Sequence, residues 1–316
     1  MPRLLDEAQA CPRLIASSVI RGAQPHSSHG GLCIVDCHAG TVDWVLDWNS
    51  PDIDVDERGG DRGLRGIGID GDSVYVMSST ALIRLDRQLR PQATYRNRYL
   101  KHCHELSIHA GRAYIVSTGF DSIVCFDLAS ERFVAGIHLN PRAGGLGVSG
   151  FDPGSPDGPA PAHAFHLNSV HCDDSGLYFS GLRTGALLRI AGTQLSIAAS
   201  LPAGTHNARP FFDGVIYNDT ESNRLCVRAA GRTNFLPVSA DPAEMGQWQL
   251  ADDEKLARPL FARGLCVISP RLVATGASPS TISIHDIDAQ CLRARIELSR
   301  DVHNAVHGLA AWPFPA

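Results

Sequence analysis

A chain of 316 residues that is 44% hydrophobic and only 19% charged can bury a sizeable core but has little material for long solvated helices. A formal net charge of -5 without a basic stripe argues against nucleic acid as the main partner, and no apolar run approaches the ~18 residues of a membrane helix. The start, MPRLLDEAQACPRLIASS, carries Asp6 and Glu7 and lacks an apolar h-region, so the expected location is cytoplasmic, with no membrane partner.

Three strand-like runs come first: IASSVI, GLCIVD and TVDWVLDW. Five related units follow, RGIGIDGDSVYVM from Arg65, HELSIHAGRAYIV from His104, NSVHCDDSGLYFS from Asn168, NARPFFDGVIYND from Asn207 and RGLCVISPRLVAT from Arg263. In each, the first residue lies ten positions before a Tyr or Val, with a turn signal between two β runs. A third run (ALIRLD, SIVCFDL, ALLRIA, RLCVRA, TISIHDID) and usually a fourth complete the unit. Four short antiparallel strands repeating every ~40–45 residues describe a propeller blade.

The tail HGLAAWPFPA, from His307, supplies only a first strand, while the N-terminal three runs lack an inner partner. Each deficit fills the other. The chain is therefore expected to be all-β, a single six-bladed β-propeller over residues 1–316 whose last blade is closed by N- and C-terminal strands.

The two long intervals hold insertions, 140–163 and 239–260. The first is Gly/Pro-rich and reads as an irregular loop, while PAEMGQWQLADDEKLARP in the second reads as a short helix. Both join a fourth strand to the next first strand, so they share a face with the first-strand starts. Long loops gathered on one face of a rigid scaffold are where binding usually resides.

The residues at the aligned starts are Arg65, His104, Asn168, Asn207, Arg263 and His307, none of them aliphatic. With their neighbours they place His104, His166, His206 and His307 in four different blades. Converging imidazoles suit a divalent transition metal such as Fe, Zn, Cu or Ni. Arg65 and Arg263 suit a small anionic substrate by bidentate pairing, and Asn168 and Asn207 would orient it. His104 and Glu221, the latter in the turn NDTESNR, are the candidate catalytic groups. The equally physical alternative is that these side chains bond loop backbone or trapped water. His26, His29, His38, His109, His138, His163 and His285 read as surface residues. The nine cysteines contain no C-x-x-C and several sit in apolar runs, so buried, reduced thiols are expected.

The ordered segments HELSI, FHLNSV, THNARPFFDGVIYNDTESNRL and FARGLCVI resemble an uncharacterised bacterial β-propeller family that carries HLNGLA, PHSPR and FTRGLAF segments in the same order. Tyr217 stands where that family often has Trp. The resemblance implies a propeller and no established reaction. A more distant likeness is to gluconolactonase-like and strictosidine-synthase-like six-bladed propellers, which hold a divalent cation with Glu, Asn and Asp. Only Asn168 and Asn207 match that set. The expected function is a metal-dependent enzyme on a small polar, anionic metabolite, of unresolved reaction type. The alternative is a non-catalytic scaffold binding a protein or small ligand on the same face.

Overall fold

The structure, a computed structural model, describes residues 13–24, 26–49, 63–143, 145–229, 231–238 and 260–315. Every regular element among them is a β-strand, and none is a helix long and apolar enough to cross a membrane. The strands are short and rich in β-branched and aromatic residues, as in SVYVM and ALIRL, which suits pleated sheets packed on both faces. Tight turns join them. Between His109 and Arg112 the two-residue connection has positive φ at both Ala110 (48°) and Gly111 (72°), which matches the right-handed twist of the flanking strands.

The chain divides into two compact units, residues 66–216 and residues 1–65 with 217–316. The first unit contains the sheet β4 (Ile67–Asp70), β5 (Ser73–Met77), β6 (Ala81–Leu85) and β7 (Pro91–Arg96). Next come β8 (Cys103–His109), β9 (Arg112–Ser117), β10 (Ser122–Asp127), β11 (Arg132–Arg142) and β12 (Gly145–Phe151), in that spatial order. A third sheet runs β13 (Leu167–Asp173), β14 (Gly176–Gly181), β15 (Ala186–Ala191) and β16 (Gln194–Ser200). The unit ends with β17 (Thr205–Phe211) and the start of β18 (Gly214–Asp219), whose sheet continues through β19 (Arg224–Ala229) and β20 (Arg232–Pro237). Its core sits between sheets: Phe126 is fully buried, with the Tyr95 ring at 4.7 Å and the Phe133 ring at 4.9 Å. Burying such side chains against one another supplies both apolar transfer energy and ring–ring contact.

The second unit contains β21 (Arg263–Val267), β22 (Leu272–Ala277), β23 (Thr281–Asp286) and β24 (Cys291–Glu297) in meander order. It also holds the closing sheet, ordered β25 (Asn304–Ala311), β1 (Leu14–Ile20), β2 (Gly31–Asp36) and β3 (Thr41–Asp47). The register runs from Leu14 opposite Ala311 to Ile20 opposite Asn304, so the C-terminal strand fills the inner place as expected. Leu14, Val35, Ile282, Ile284 and Val306 form part of one cluster that packs this sheet on its neighbour. Gly308 is required there, because a Cβ would lie 2.4 Å from the Arg65 carbonyl oxygen. The six sheets are the blades of a β-propeller.

Three sequence expectations need correction. Residues 145–151 form β12, an edge strand paired with β11, rather than irregular loop. The alternation Gly145-Leu146-Gly147-Val148 turns Leu146 and Val148 toward the core, and Pro141 is tolerated near the hairpin end of the edge pair. Beyond it, the chain wraps Tyr99, whose hydroxyl donates to the Ser155 carbonyl (2.8 Å) and accepts from the Gly158 N–H (2.7 Å). His29 and His285 are buried, not surface residues. His285 lies on β23, where both faces of the strand are covered, so alternation carries no exposure signal. The expected helix falls within 239–259, outside the described residues. The eight described cysteines are free and seven are buried; burial pushes the Cys33 thiol to about 12 and Cys226 to about 11, leaving both protonated.

Candidate functional site

In a propeller the first strand of each blade is innermost, and here these strands do not run straight. β8 carries a bulge between Cys103 and Leu106, β13 between Leu167 and Ser169, and β21 between Arg263 and Leu265. A bulge breaks the two-residue alternation and re-aims side chains, which in this chain affects His104, Glu105 and Asn168. Asn207 reaches a similar end by adopting φ 54°, a left-handed conformation Asn tolerates.

Within residues 66–216 these side chains make hydrogen bonds that cross from one sheet to another. Asn207 Nδ2 donates to Glu105 Oε1 at 2.8 Å, spanning 102 residues of sequence. Asn168 Nδ2 donates to the Thr205 carbonyl (2.9 Å), and its Oδ1 accepts from the Ser169 hydroxyl (2.8 Å). His104 is 8% exposed, and its ring centroid lies 5.5 Å from that of His166. Thr118 Oγ1 donates to the Leu167 carbonyl and lies 2.8 Å from His104 Nδ1. The His102 carbonyl is also 2.8 Å from that nitrogen. Both neighbours act as acceptors toward Nδ1, so Nδ1 holds the proton and Nε2 carries the lone pair of the neutral ring. His206 repeats the pattern, its Nδ1 lying 3.3 Å from the Gly204 carbonyl.

Glu105 and Arg209 are the functional candidates that sequence reading missed. Water touches part of Glu105, yet protein surrounds its carboxyl. Burial pushes that group up to about 8, against the opposing pull of the Asn207 hydrogen bond and the Arg209 charge. Two positions past Asn207 on β17, Arg209 also acts on His171, which burial lowers to about 4 although Asp173 lies 3.4 Å away. Strict alternation within HELSI would have pointed to only one of His104 and Glu105; the bulge uses both.

The remaining expected residues lie in the other unit. Arg263 Nη1 donates to His307 Nε2 at 3.3 Å, and its guanidinium stacks on Phe261 at 4.4 Å. Arg65 is 7% exposed, and its carbonyl accepts from Ser17 Oγ. Asn218 Nδ2 donates to the Gly264 carbonyl (3.1 Å), whereas Glu221 is exposed in the β18–β19 turn. The four candidate metal histidines are thus divided: His104, His166 and His206 in one unit, His307 in the other. Among the described residues no group of three or more His, Cys, Asp or Glu stands in a metal-holding arrangement.

No family model matches the chain, and no curated protein is significantly similar to it. Solved structures do align. A chain of a nidogen–laminin complex covers 94% of this protein and 97% of its own length at TM-score 0.57 and 9% identity. Virginiamycin B lyase from Staphylococcus aureus, crystallised as a catalytically inactive variant with quinupristin, matches at TM-score 0.45 and 9% identity over 82% of this chain and 78% of its own. Apo AztD from Citrobacter koseri matches at TM-score 0.46 and 12% identity, covering 94% and 97%. All are β-propeller proteins, and at 9% identity the nidogen–laminin likeness speaks for the fold alone.

Proposed function

We propose that the protein is an enzyme acting on a small polar, anionic metabolite at the bulged first-strand starts of residues 66–216. The observation that carries this reading is the Asn207–Glu105 hydrogen bond, which holds a carboxyl group in a protein-enclosed place between β8 and β17. A structural carboxylate is usually placed at a turn or beside a salt-bridge partner; this one is kept largely protonated at neutral pH.

The chemistry that fits is proton transfer. His104, its Nδ1 fixed by the His102 carbonyl, offers Nε2 as a base, and Glu105 offers a proton. Two titratable groups with separated environments divide the roles of base and acid. Arg209 supplies the positive charge for the substrate anion, and Asn168 and Asn207 orient it. Arg65, Arg263 and Glu221 are not required by this reading. A transition metal on His104, His166 and His206 is a separate proposal, read by elemental analysis of untagged protein.

The test is turnover of a panel of small carboxylates and phosphate esters, followed by NMR, with the parent, His104→Gln and Glu105→Gln. Consumption of one compound by the parent, and at least ~100-fold less by each variant, is expected. Binding of a compound without consumption, unaffected by Glu105→Gln, would instead support the non-catalytic scaffold.

A further inference from the structure

A cavity of about 410 Å³ opens in the unit formed by residues 1–65 and 217–316, where β3 ends and β25 begins. That volume is in the range of small-ligand pockets. Its lining includes the apolar Trp44 and Leu298 and four polar residues, Ser28, Asp47, Ser299 and Asn304. Trp44 is 43% exposed, so a large apolar face is kept in water on a strand that could have carried a polar residue.

The polar groups are held in place. Asp47 accepts from the Ser28 hydroxyl on one oxygen and from Asn49 Nδ2 (3.4 Å) on the other. Asn304 is 6% exposed and spends its side-chain oxygen on the Ser280 hydroxyl at 2.6 Å. Its amide N–H groups have no partner among the described residues, although they belong to a side chain lining the cavity. A donor left so at a cavity wall is satisfied by whatever enters. Among the described residues Asp47 is the one charged residue of the lining, with no lysine or arginine beside it there.

We propose that this cavity binds a neutral monosaccharide or cyclic polyol. The C–H face of such a ring buries against the Trp44 indole, adjacent hydroxyls donate to the Asp47 carboxylate, and another hydroxyl accepts from Asn304. An anionic ligand would meet Asp47 with no cation among the described lining residues to offset it. A purely apolar ligand would take water from Asp47 and Asn304 and give them no hydrogen bond in return. The proposal is independent of the proton-transfer site, whose residues lie in the other unit.

Saturation-transfer NMR on the full-length protein tests it, with D-glucose, D-galactose and myo-inositol as probes and tetramethylammonium as the cationic control. Transfer to ring protons of at least one of the three neutral probes is expected at millimolar concentration. Trp44→Ala and Asp47→Asn should each weaken it by at least ~10-fold, while leaving the melting temperature of the parent. Trp44 and Asp47 are exposed enough that neither change disturbs the core. Absence of transfer from all three probes, transfer that survives both substitutions, or binding of tetramethylammonium alone would overturn the proposal.

Discussion

Two sets of polar side chains recur from blade to blade, and they work in opposite ways. At the ends of third strands, Asp36, Asp86, Asp127 and Asp286 accept N–H groups from residues two to four positions ahead. These are local turn caps, complete within one hairpin. Ser17, Thr118, Asn168, Asn218 and Ser280 instead donate to residues 24 to 49 positions away, on or just before the first strand of the following blade. The Glu105–Asn207 bond is of a third kind, since it joins β8 to β17 and passes over β13. Recurrence alone therefore does not separate scaffold from site; how far away the partner lies does.

The largest effect should come from breaking the longest-range pairing of all. Deleting residues 306–316 removes most of β25 and exposes the edge of β1. The product should lack a cooperative melting transition by circular dichroism and pellet on expression; a soluble variant melting with the parent would refute the closure argument.

Acid comes next. His285 is fully buried, and burial lowers its pKa from 6.5 to about 4. Between those values the unfolded chain binds a proton that the folded one refuses, so stability present above pH 6.5 falls as pH drops toward 4, by about 3 kcal/mol in full. His171, lowered in the same direction, adds to the slope. Urea titrations across this range should show the acid limb flatten in His285→Gln; an unchanged limb would mean His285 is not the sensor.

Within the local set, Asp286 is unlike its equivalents. It is fully buried and takes Arg271 in a bidentate pair (3.0 and 2.7 Å) together with Arg293 at 2.9 Å. Those hydrogen bonds hold its carboxyl well below the ordinary range. Asp286→Ala should cost about 2 kcal/mol in chemical denaturation, less than for a fully buried triad because both arginines still reach water. Asp86→Ala, at an exposed turn, should leave the midpoint nearly unchanged. Equal losses would erase the distinction.

Thr118 should sit lower, with Thr118→Val costing about 1 kcal/mol through the Leu167 and His104 bonds. Smallest is Glu105→Gln, which keeps an acceptor for Asn207 and should melt with the parent while turnover collapses. A large loss of stability there would make Glu105 structural.

The blades were legible because turn pairs and β runs repeat around the ten-residue interval that precedes Tyr75, Tyr114, Tyr178 and Tyr217. The closing sheet was legible from a deficit: three strands at one end and one at the other. Strand β12 was missed because glycine and proline content spoke for a loop, although Leu146 and Val148 alternate. Glu105 was missed for a deeper reason. Alternation assigns consecutive residues to opposite faces, so a bulge that turns both His104 and Glu105 to use has no signature in the period. Arg209 looked like any strand arginine, because only the neighbouring first strands bring Glu105 and His171 within reach of its charge.

The pairing of β1 with β25 also dictates the order of events during synthesis. Gly308 N–H donates to Ser17 Oγ across 291 residues of chain, so the earliest strand waits for almost the last. Until then β1, β2 and β3 form a sheet whose inner edge is open, and the strands made in between can complete their own hairpins without closing anything. Native assembly thus waits until β25 has been made, and a long loop must be closed before its contacts repay the cost. A chain interrupted before β25 is made keeps one adhesive edge on β1, which gives quality-control factors a mark by which to tell it from a copy whose sheet has closed.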